Sequence, residues 1–464
     1  MRMFLTVFLF SVSILSIVSC DDETLTVACY EWAYSVGGPQ DDRFYAIAQL
    51  ADGSYVIAGE SWSFGNKKAK SELILLNLKV SGKTNWVKLT GGPAFEKGMS
   101  VTPLKDGGFI LGGDTTSYGF GHHNLWLTRF DSNSLPVWQN IYKGQLGDTI
   151  SGVIPLADGG MAVCATSDSF GAGLQDYWLF RLDANGMTNW QKTFGGRDSD
   201  IAGGAAAGRD GSFVIAGNAR SFGSGIWVIK INPDGTLRWE KYYSGKVTDN
   251  ANCIAATKDD GFIIAGYTWS FGTGRSDMLV IKIDKRGELV WEKCFGGPKN
   301  DVAYVVIATA DNGCIVAGIT ESFGLGKTDV WILRLSSAGD LVWQKTFGGA
   351  GYDYVHGGCA SFDKGFALVG SSDSFGAGKF DAWVLKLNMN GEISNETSMS
   401  PSNTSPVKVV MHLSSAYDNV SELLKGPKID IIIKGDSFAM IEATSNIYTN
   451  IAIPFIPIKL SLTQ

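Results

Sequence analysis

The feature that most constrains this chain is a repeat. A tryptophan recurs at Trp32, Trp86, Trp138, Trp190, Trp239, Trp291 and Trp343, spaced 54, 52, 52, 49, 52 and 52 residues apart. An independent marker, Ser-Phe-Gly, starts at Ser63, Ser117 (with Tyr118 for Phe), Ser169, Ser221, Ser270, Ser322 and Ser374. Both markers give seven units. A unit that cannot bury its own faces must stack on copies of itself, so this self-similarity outweighs the two or three domains that 464 residues would otherwise suggest.

Within one unit, the runs DVAYVVIATADNG, CIVAGIT, DVWILRL and LVWQKTFGG are short, rich in Val, Ile, Thr and aromatics, and separated by Gly, Asn, Asp and Ser. Four strands per unit predict an all-β fold, a seven-bladed β-propeller of four-stranded blades, with strands A to D counted from the inside outward. The 58 glycines, set against 12% aromatic residues and only 12 prolines, mean many tight turns rather than a disordered chain. Closure is legible as well. The last unit lacks its tryptophan and Gly-Gly after Gly391, while residues 30–38, YEWAYSVGG, match a fourth strand. An N-terminal strand is therefore expected to complete the last blade and remove two exposed sheet edges, giving a propeller over residues 30–393.

Blade segments such as GFIIAG, then SFGTGRSD, then Trp291-Glu-Lys-Cys-Phe-Gly-Gly resemble the tandem delta-60-like propeller repeats of bacterial and archaeal surface proteins. The hydrophobic-Gly strand followed by tryptophan is also similar to Kelch blades. Asp284-x-x-Gly287-x-x-x-Trp291 resembles the tryptophan-docking turn of quinoprotein dehydrogenases and of the related outer-membrane assembly lipoprotein. All three resemblances imply a propeller, and none implies a reaction.

The ends differ from the repeats. MRMFLTVFLFSVSILSIVSC has a basic start and a 16-residue apolar run, too short for a membrane span. It closes on Ile17-Val18-Ser19-Cys20, which resembles a bacterial lipobox. The expectation is a lipoprotein signal peptide at 1–19, lipidation at Cys20 and a tether over 20–29. The protein would then sit in the cell envelope, extracytoplasmic and anchored to the membrane by acyl chains. Asp21-Asp22-Glu23 resembles both an inner-membrane retention signal and a surface-export signal, so periplasm and cell surface both stay open. Residues 394–406, SNETSMSPSNTSP, read as a polar linker, and 407–464 as a small β-rich C-terminal region.

Repetition sorts the candidate residues. A carboxylate opens each unit at Asp42, Glu96, Asp148, Asp200, Asp249, Asp301 and Asp353. Such a ring could hold Ca2+. One per blade favours the alternative, that each ties its own loop by accepting backbone N–H bonds, so no cofactor and no metal are predicted. Glu72, Asn124, Asp176, Asp277, Asp329 and Asp381 recur before strand C and are read the same way. They follow the Ser-Phe-Gly loop, whose phenylalanine is expected between blades. The tryptophans are expected to pin adjacent blades. The cysteines fall at scattered positions of the repeat, which fits small buried residues rather than a metal set or a disulfide framework.

Specificity should sit where the repeat varies. The residue before each Ser-Phe-Gly element is Trp62, Thr116, Asp168, Arg220, Trp269, Glu321 or Asp373, on the face where the B–C and D–A loops emerge. Trp62 and Trp269 can stack on sugar rings or apolar groups, and Arg220 can pair an acid. The fourth unit is three residues short here, which would open a notch. His122 and His123 form the one histidine pair and lack a third ligand in sequence.

A net charge of -7 with no basic run argues against a nucleic-acid partner. The reading is a monomeric, lipid-anchored binding or scaffolding module for protein or glycan. The rival is a propeller enzyme, either a quinoprotein-like oxidoreductase or a polysaccharide hydrolase or lyase. No vicinal cysteines and no acid–base group standing out from the sevenfold background support that rival.

Overall fold

The computed structural model describes residues 32–393 apart from 66–69, 120–121, 244–246 and 377, together with the backbone of 448–450 and 456–458. The signal segment, Cys20, the tether and the polar linker lie outside the described residues.

Each repeat forms an antiparallel four-stranded sheet in chain order, and there are seven. In blade five, strands A to D are Asp249–Ala256, Phe262–Thr268, Asp277–Ile283 and Leu289–Phe295. Strands B and C read as almost unbroken apolar runs because both of their faces are covered by neighbouring blades. The core is accordingly seven separate clusters, each shared by two adjacent blades. The A strands contact one another all the way round and so surround the central axis.

The ring closes between the two ends of the repeat array. Trp32–Val36 supplies strand D of blade seven, with Trp32 opposite Lys386 and Val36 opposite Ala382. The propeller thus has seven four-stranded blades, and its last sheet is built from both ends of the repeat region.

The Gly-x-x-x-Trp spacing has a steric cause. The indole N–H of Trp138 donates to Ala184 O (2.9 Å), that of Trp291 to Ser337 O (2.9 Å) and that of Trp32 to Val80 O (3.1 Å), each in the C–D hairpin of the next blade. The ring then lies on the hairpin glycine. Gly339 sits at φ +79, and a Cβ there would come within 2.8 Å of the Trp291 ring, so both backbone and space demand glycine. The Ser-Phe-Gly ring lies between blades as expected, and it also meets an indole of its own blade. Phe170, Phe222 and Phe323 lie 4.8, 5.1 and 5.0 Å from Trp178, Trp227 and Trp331 of their own strands C, whose indoles belong to the clusters shared with the preceding blade. Strand C offers a wide indole at the base of the loop, and the ring caps it.

From the C-terminal region, Tyr448–Asn450 pairs with strand D of blade two and Ile456–Ile458 with strand D of blade one. These outer edges are apolar. Val87, Leu89 and Ile141 are buried, whereas the corresponding Gln191 and Thr193 of blade three are exposed. Covering a strand edge satisfies its backbone groups and hides such side chains.

Candidate functional site

The face carrying the B–C and D–A loops is built by one hydrogen bond repeated. The backbone N–H of Trp62 donates to Asp41 O (3.0 Å), that of Arg220 to Ser199 O (3.1 Å) and that of Trp269 to Thr248 O (3.1 Å). Thr116, Asp168, Glu321 and Asp373 are held identically. All seven variable residues therefore occupy equivalent places. Their side chains divide into two groups. Asp168 accepts from Gln175 (2.9 Å), Glu321 from Asn300 (3.1 Å), Thr116 from Phe95 N (2.9 Å) and Asp373 from Tyr352 N, so these four tie their own loops. Trp62 and Trp269 instead stand 42% and 54% exposed, Trp62 beside Phe95 and Trp269 beside Tyr267. Arg220 is exposed as well, in a short turn, Arg220–Phe222. Strand C of blade four follows at Gly225, which leaves five residues between its B and C strands where blade five has eight.

The ring of acids lies beneath this face. All seven are buried. Asp301 accepts from Gly297 N (2.8 Å) and Ser322 Oγ (2.7 Å), and Asp353 from Gly349 N (2.8 Å) and Ser374 Oγ (2.8 Å). Asp42, Glu96, Asp148, Asp200 and Asp249 repeat variants of this pattern with Ser61, Thr115, Ser167, Ser221 and Thr268. One carboxylate thus joins the Gly-Gly link to the Ser-Phe-Gly loop. Burial raises Asp42 to about 6 against its hydrogen bonds from Ser61, Ser63 and Gly38. His122 and His123 are exposed on the B–C loop of blade two, and burial together with Lys97 lowers His123. Among the described residues, no three His, Cys, Asp or Glu side chains converge as metal ligands.

Beside this regular frame lies a set that does not repeat. The residue after each ring acid and its cross-strand partner on strand B are Arg43 and Glu60, Lys97 and Asp114, Thr149 and Thr166, Ile201 and Asn218, Asn250 and Tyr267, Val302 and Ile319, and Tyr354 and Ser371. No two pairs are alike. A bulge in every A strand adds one more residue at this level: Tyr45, Met99, Ser151, Gly203, Asn252, Tyr304 or His356. These positions form the mouth of the central channel.

Blades seven, one and two put a charged network there. Glu60 Oε1 accepts from the Tyr45 hydroxyl (2.5 Å) and lies 3.5 Å from Arg43, which also reaches Asp41 at 3.5 Å. Glu60 Oε2 is buried without a hydrogen-bond partner, and Lys97 Nζ stands 3.9 Å away. Asp114, one blade on, accepts from Ile150 N (3.2 Å), and burial raises it to about 7. The His356 ring packs 5.2 Å from Tyr45 and its Nε2 lies 3.1 Å from Ser371 Oγ. Burial and the nearby Arg43 lower His356 to about 4, so its ring is neutral at ordinary pH.

Aromatic rings continue the arc. Tyr354 stacks between His356 and Tyr352, 6.2 Å from each, and lies 5.9 Å from Phe380. Tyr304 is exposed and close enough to Tyr267 and Tyr354 to feel both, and Tyr267 leads outward to Trp269. The opposite side, with Thr149, Ser151, Ile201 and Gly203, is built from smaller residues. The mouth is therefore aromatic and ionisable on blades five to two, and open on blades three and four. Sequence reasoning missed this set because it looked for variation only in the loops. The usable signal was the two columns flanking each invariant acid and its Ser or Thr partner.

Strand order and closure define the protein as a seven-bladed β-propeller. No protein-family model and no curated protein matches the chain. Solved structures that resemble it include the Pan2 WD40 domain of Neurospora crassa, 13% identical, covering 77% of this chain and 96% of that one at a TM-score of 0.48. The chain is also similar to YCF48 bound to a D1 peptide, at 10% identity, 77% and 97% coverage and a TM-score of 0.46. Puromycin hydrolase is similar at 13% identity, with 78% of this chain covering 55% of that one at a TM-score of 0.48.

Proposed function

We propose that this propeller is a lipid-anchored, extracytoplasmic binding module that presents its channel-mouth face to a protein or glycan ligand. The observation that carries the reading is the division of the seven loop residues. Four tie their own loops through their side chains, while the side chains of Trp62, Arg220 and Trp269 extend from the same frame without hydrogen bonds to it. Large aromatic side chains held half-exposed on one face offer ring area that a ligand can cover on binding. The anchor reading rests on Ile17-Val18-Ser19-Cys20 and the apolar run before it.

Two experiments test the two halves. Cys20→Ser should abolish metabolic labelling by an alkyne fatty acid and release the protein from the membrane fraction; retained label ends the lipoprotein reading. Purified propeller immobilised against solubilised envelope should capture a ligand that Trp62→Ala combined with Trp269→Ala reduces at least about tenfold, or roughly 1.4 kcal/mol. Undiminished capture removes this face.

A further inference from the structure

We infer that the channel mouth takes a neutral glycan chain end, one of whose hydroxyl groups bridges Glu60 and Lys97. The inference rests on the binding-module reading above and names the ligand class for its site.

The chemistry of the gap selects the group. Glu60 is 1% exposed, and its Oε2 is the member of the network with no hydrogen-bond donor. Lys97 Nζ, at 3.9 Å, is beyond hydrogen-bonding distance, and its side chain is 37% exposed, so drawing it back admits one oxygen within reach of both. That oxygen must donate to a carboxylate and accept from an ammonium. Water does both, and so does a ligand hydroxyl that takes its place. A ligand carboxylate or phosphate has no proton to donate and meets Glu60 as a like charge, and a ligand ammonium cannot accept from Lys97. Arg43 and Lys97 are already balanced by Glu60 and Asp41 at 3.5 to 3.9 Å, so the mouth has no surplus charge seeking an ion.

The surroundings extend the argument from a hydroxyl to a sugar chain. Tyr354, Tyr304 and Trp269 offer ring faces leading away from the gap, and the C–H face of a pyranose covers an aromatic ring while its equatorial hydroxyls stay free to bond. Trp269 lies out on the loop rim, so one sugar at Glu60 does not reach it and several are needed. The small residues Thr149, Ser151 and Gly203, with the shortened loop of blade four, leave the remaining side open for the chain to leave the mouth.

The test is calorimetric titration of the purified protein with neutral hexasaccharides (cellohexaose, maltohexaose, mannohexaose, xylohexaose and chitohexaose), with hexagalacturonate as the charged comparator. At least one neutral chain should bind at millimolar or better affinity. Glu60→Gln and Lys97→Met should each weaken that binding about tenfold, Tyr304→Ala should weaken it in a protein whose near-ultraviolet dichroism is unchanged, and Arg209→Ala on the opposite face should not alter it. Absence of binding by all five neutral chains at about 5 mM overturns the inference, as does binding of hexagalacturonate alone or binding indifferent to both Glu60→Gln and Lys97→Met. If none of the oligosaccharides binds but envelope capture still depends on Trp62 and Trp269, the module stands and the carbohydrate class falls.

Discussion

The two faces of the propeller carry charged residues under opposite rules. On the A–B hairpin side, an aspartate in the hairpin meets a basic residue of strand C in six blades: Asp106 with Arg129 (2.7 Å), Asp158 with Arg181, Asp210 with Lys230 (3.5 Å), Asp259 with Lys282 (2.7 Å), Asp311 with Arg334 (2.5 Å) and Asp363 with Lys386 (2.8 Å). Blade one keeps the hairpin aspartate, Asp52, but replaces its basic partner by neutral Asn77, which donates to Ser54 Oγ. At the mouth, by contrast, Arg43, Glu60, Lys97 and Asp114 occur once each, and their ion pairs are 3.5 to 3.9 Å long. A residue type repeated at one register answers a constraint that every blade feels. One that appears in a single blade, loosely paired, answers something that is not part of the blade.

The hairpin pairs are themselves unequal, and that inequality gives the largest expected effect. Lys386 and Asp363 are 1% and 6% exposed, whereas Arg129 and Asp106 are 21% and 48% exposed. Lys386→Met strands a buried carboxylate and should cost about 3–5 kcal/mol of unfolding free energy. Arg129→Met loses a screened surface pair and one hydrogen bond to Ala184 O, together worth about 1–2 kcal/mol. Urea denaturation of both variants checks this. Equal losses would mean that the pairs act as one structural class whatever their burial.

How much of this was readable beforehand follows the same division. The blades, their number and the N-terminal closing strand were written in the recurrence of Trp291-type and Ser270-type positions, because each unit solves the same packing problem. The mouth was not, because its partners are remote in sequence. Arg43 and Glu60 are 17 residues apart and meet only through the A–B register. Tyr45 meets His356 only because blade one closes on blade seven. The Phe170-type ring lies between blades as its repetition implied. Its partner, the Trp178-type indole of strand C, was not legible, because periodicity alone does not say which of two recurring rings meet. The apolar Val87, Leu89 and Ile141 break the polar pattern of the other outer strands, and Ile456–Ile458 and Tyr448–Asn450 pair with those two edges.

The mouth makes an intermediate prediction through pH. Asp114 faces Lys97, which favours its charged form, and Asp148, which opposes it, but burial dominates and raises it to about 7. Its folded pKa is above the unfolded value, so the folded state binds the extra proton and the group's contribution is present in acid and lost as pH rises from about 4 to about 7. Asp114→Asn keeps an acceptor for Ile150 N and removes the titration. Relative to wild type, the variant should gain roughly 2–4 kcal/mol of unfolding free energy between pH 5 and pH 8, with other groups cancelling in the comparison. A pH-independent difference would show that Asp114 is ionised throughout, and that the mouth is wetter than its burial implies.

The smallest effect tests whether an exception to the repeat has been repaired from within the blade. Blade four has no acid before strand C, where blade five uses Asp277 to accept from Gly274 N (3.0 Å). In its place the Tyr242 hydroxyl, from strand D, accepts from Gly225 N (2.6 Å) and donates to Ala219 O (3.2 Å). Blades five and six have Cys294 and Thr346 at that position, neither of which carries a ring that reaches so far. Tyr242→Phe should therefore cost about 1 kcal/mol, the usual worth of one such hydrogen bond, and should speed amide exchange at Gly225 while leaving the start of strand C in blade five unchanged. Unaltered exchange at Gly225 would mean that the short loop holds itself, and that the tyrosine on blade four has been kept for the ligand face instead.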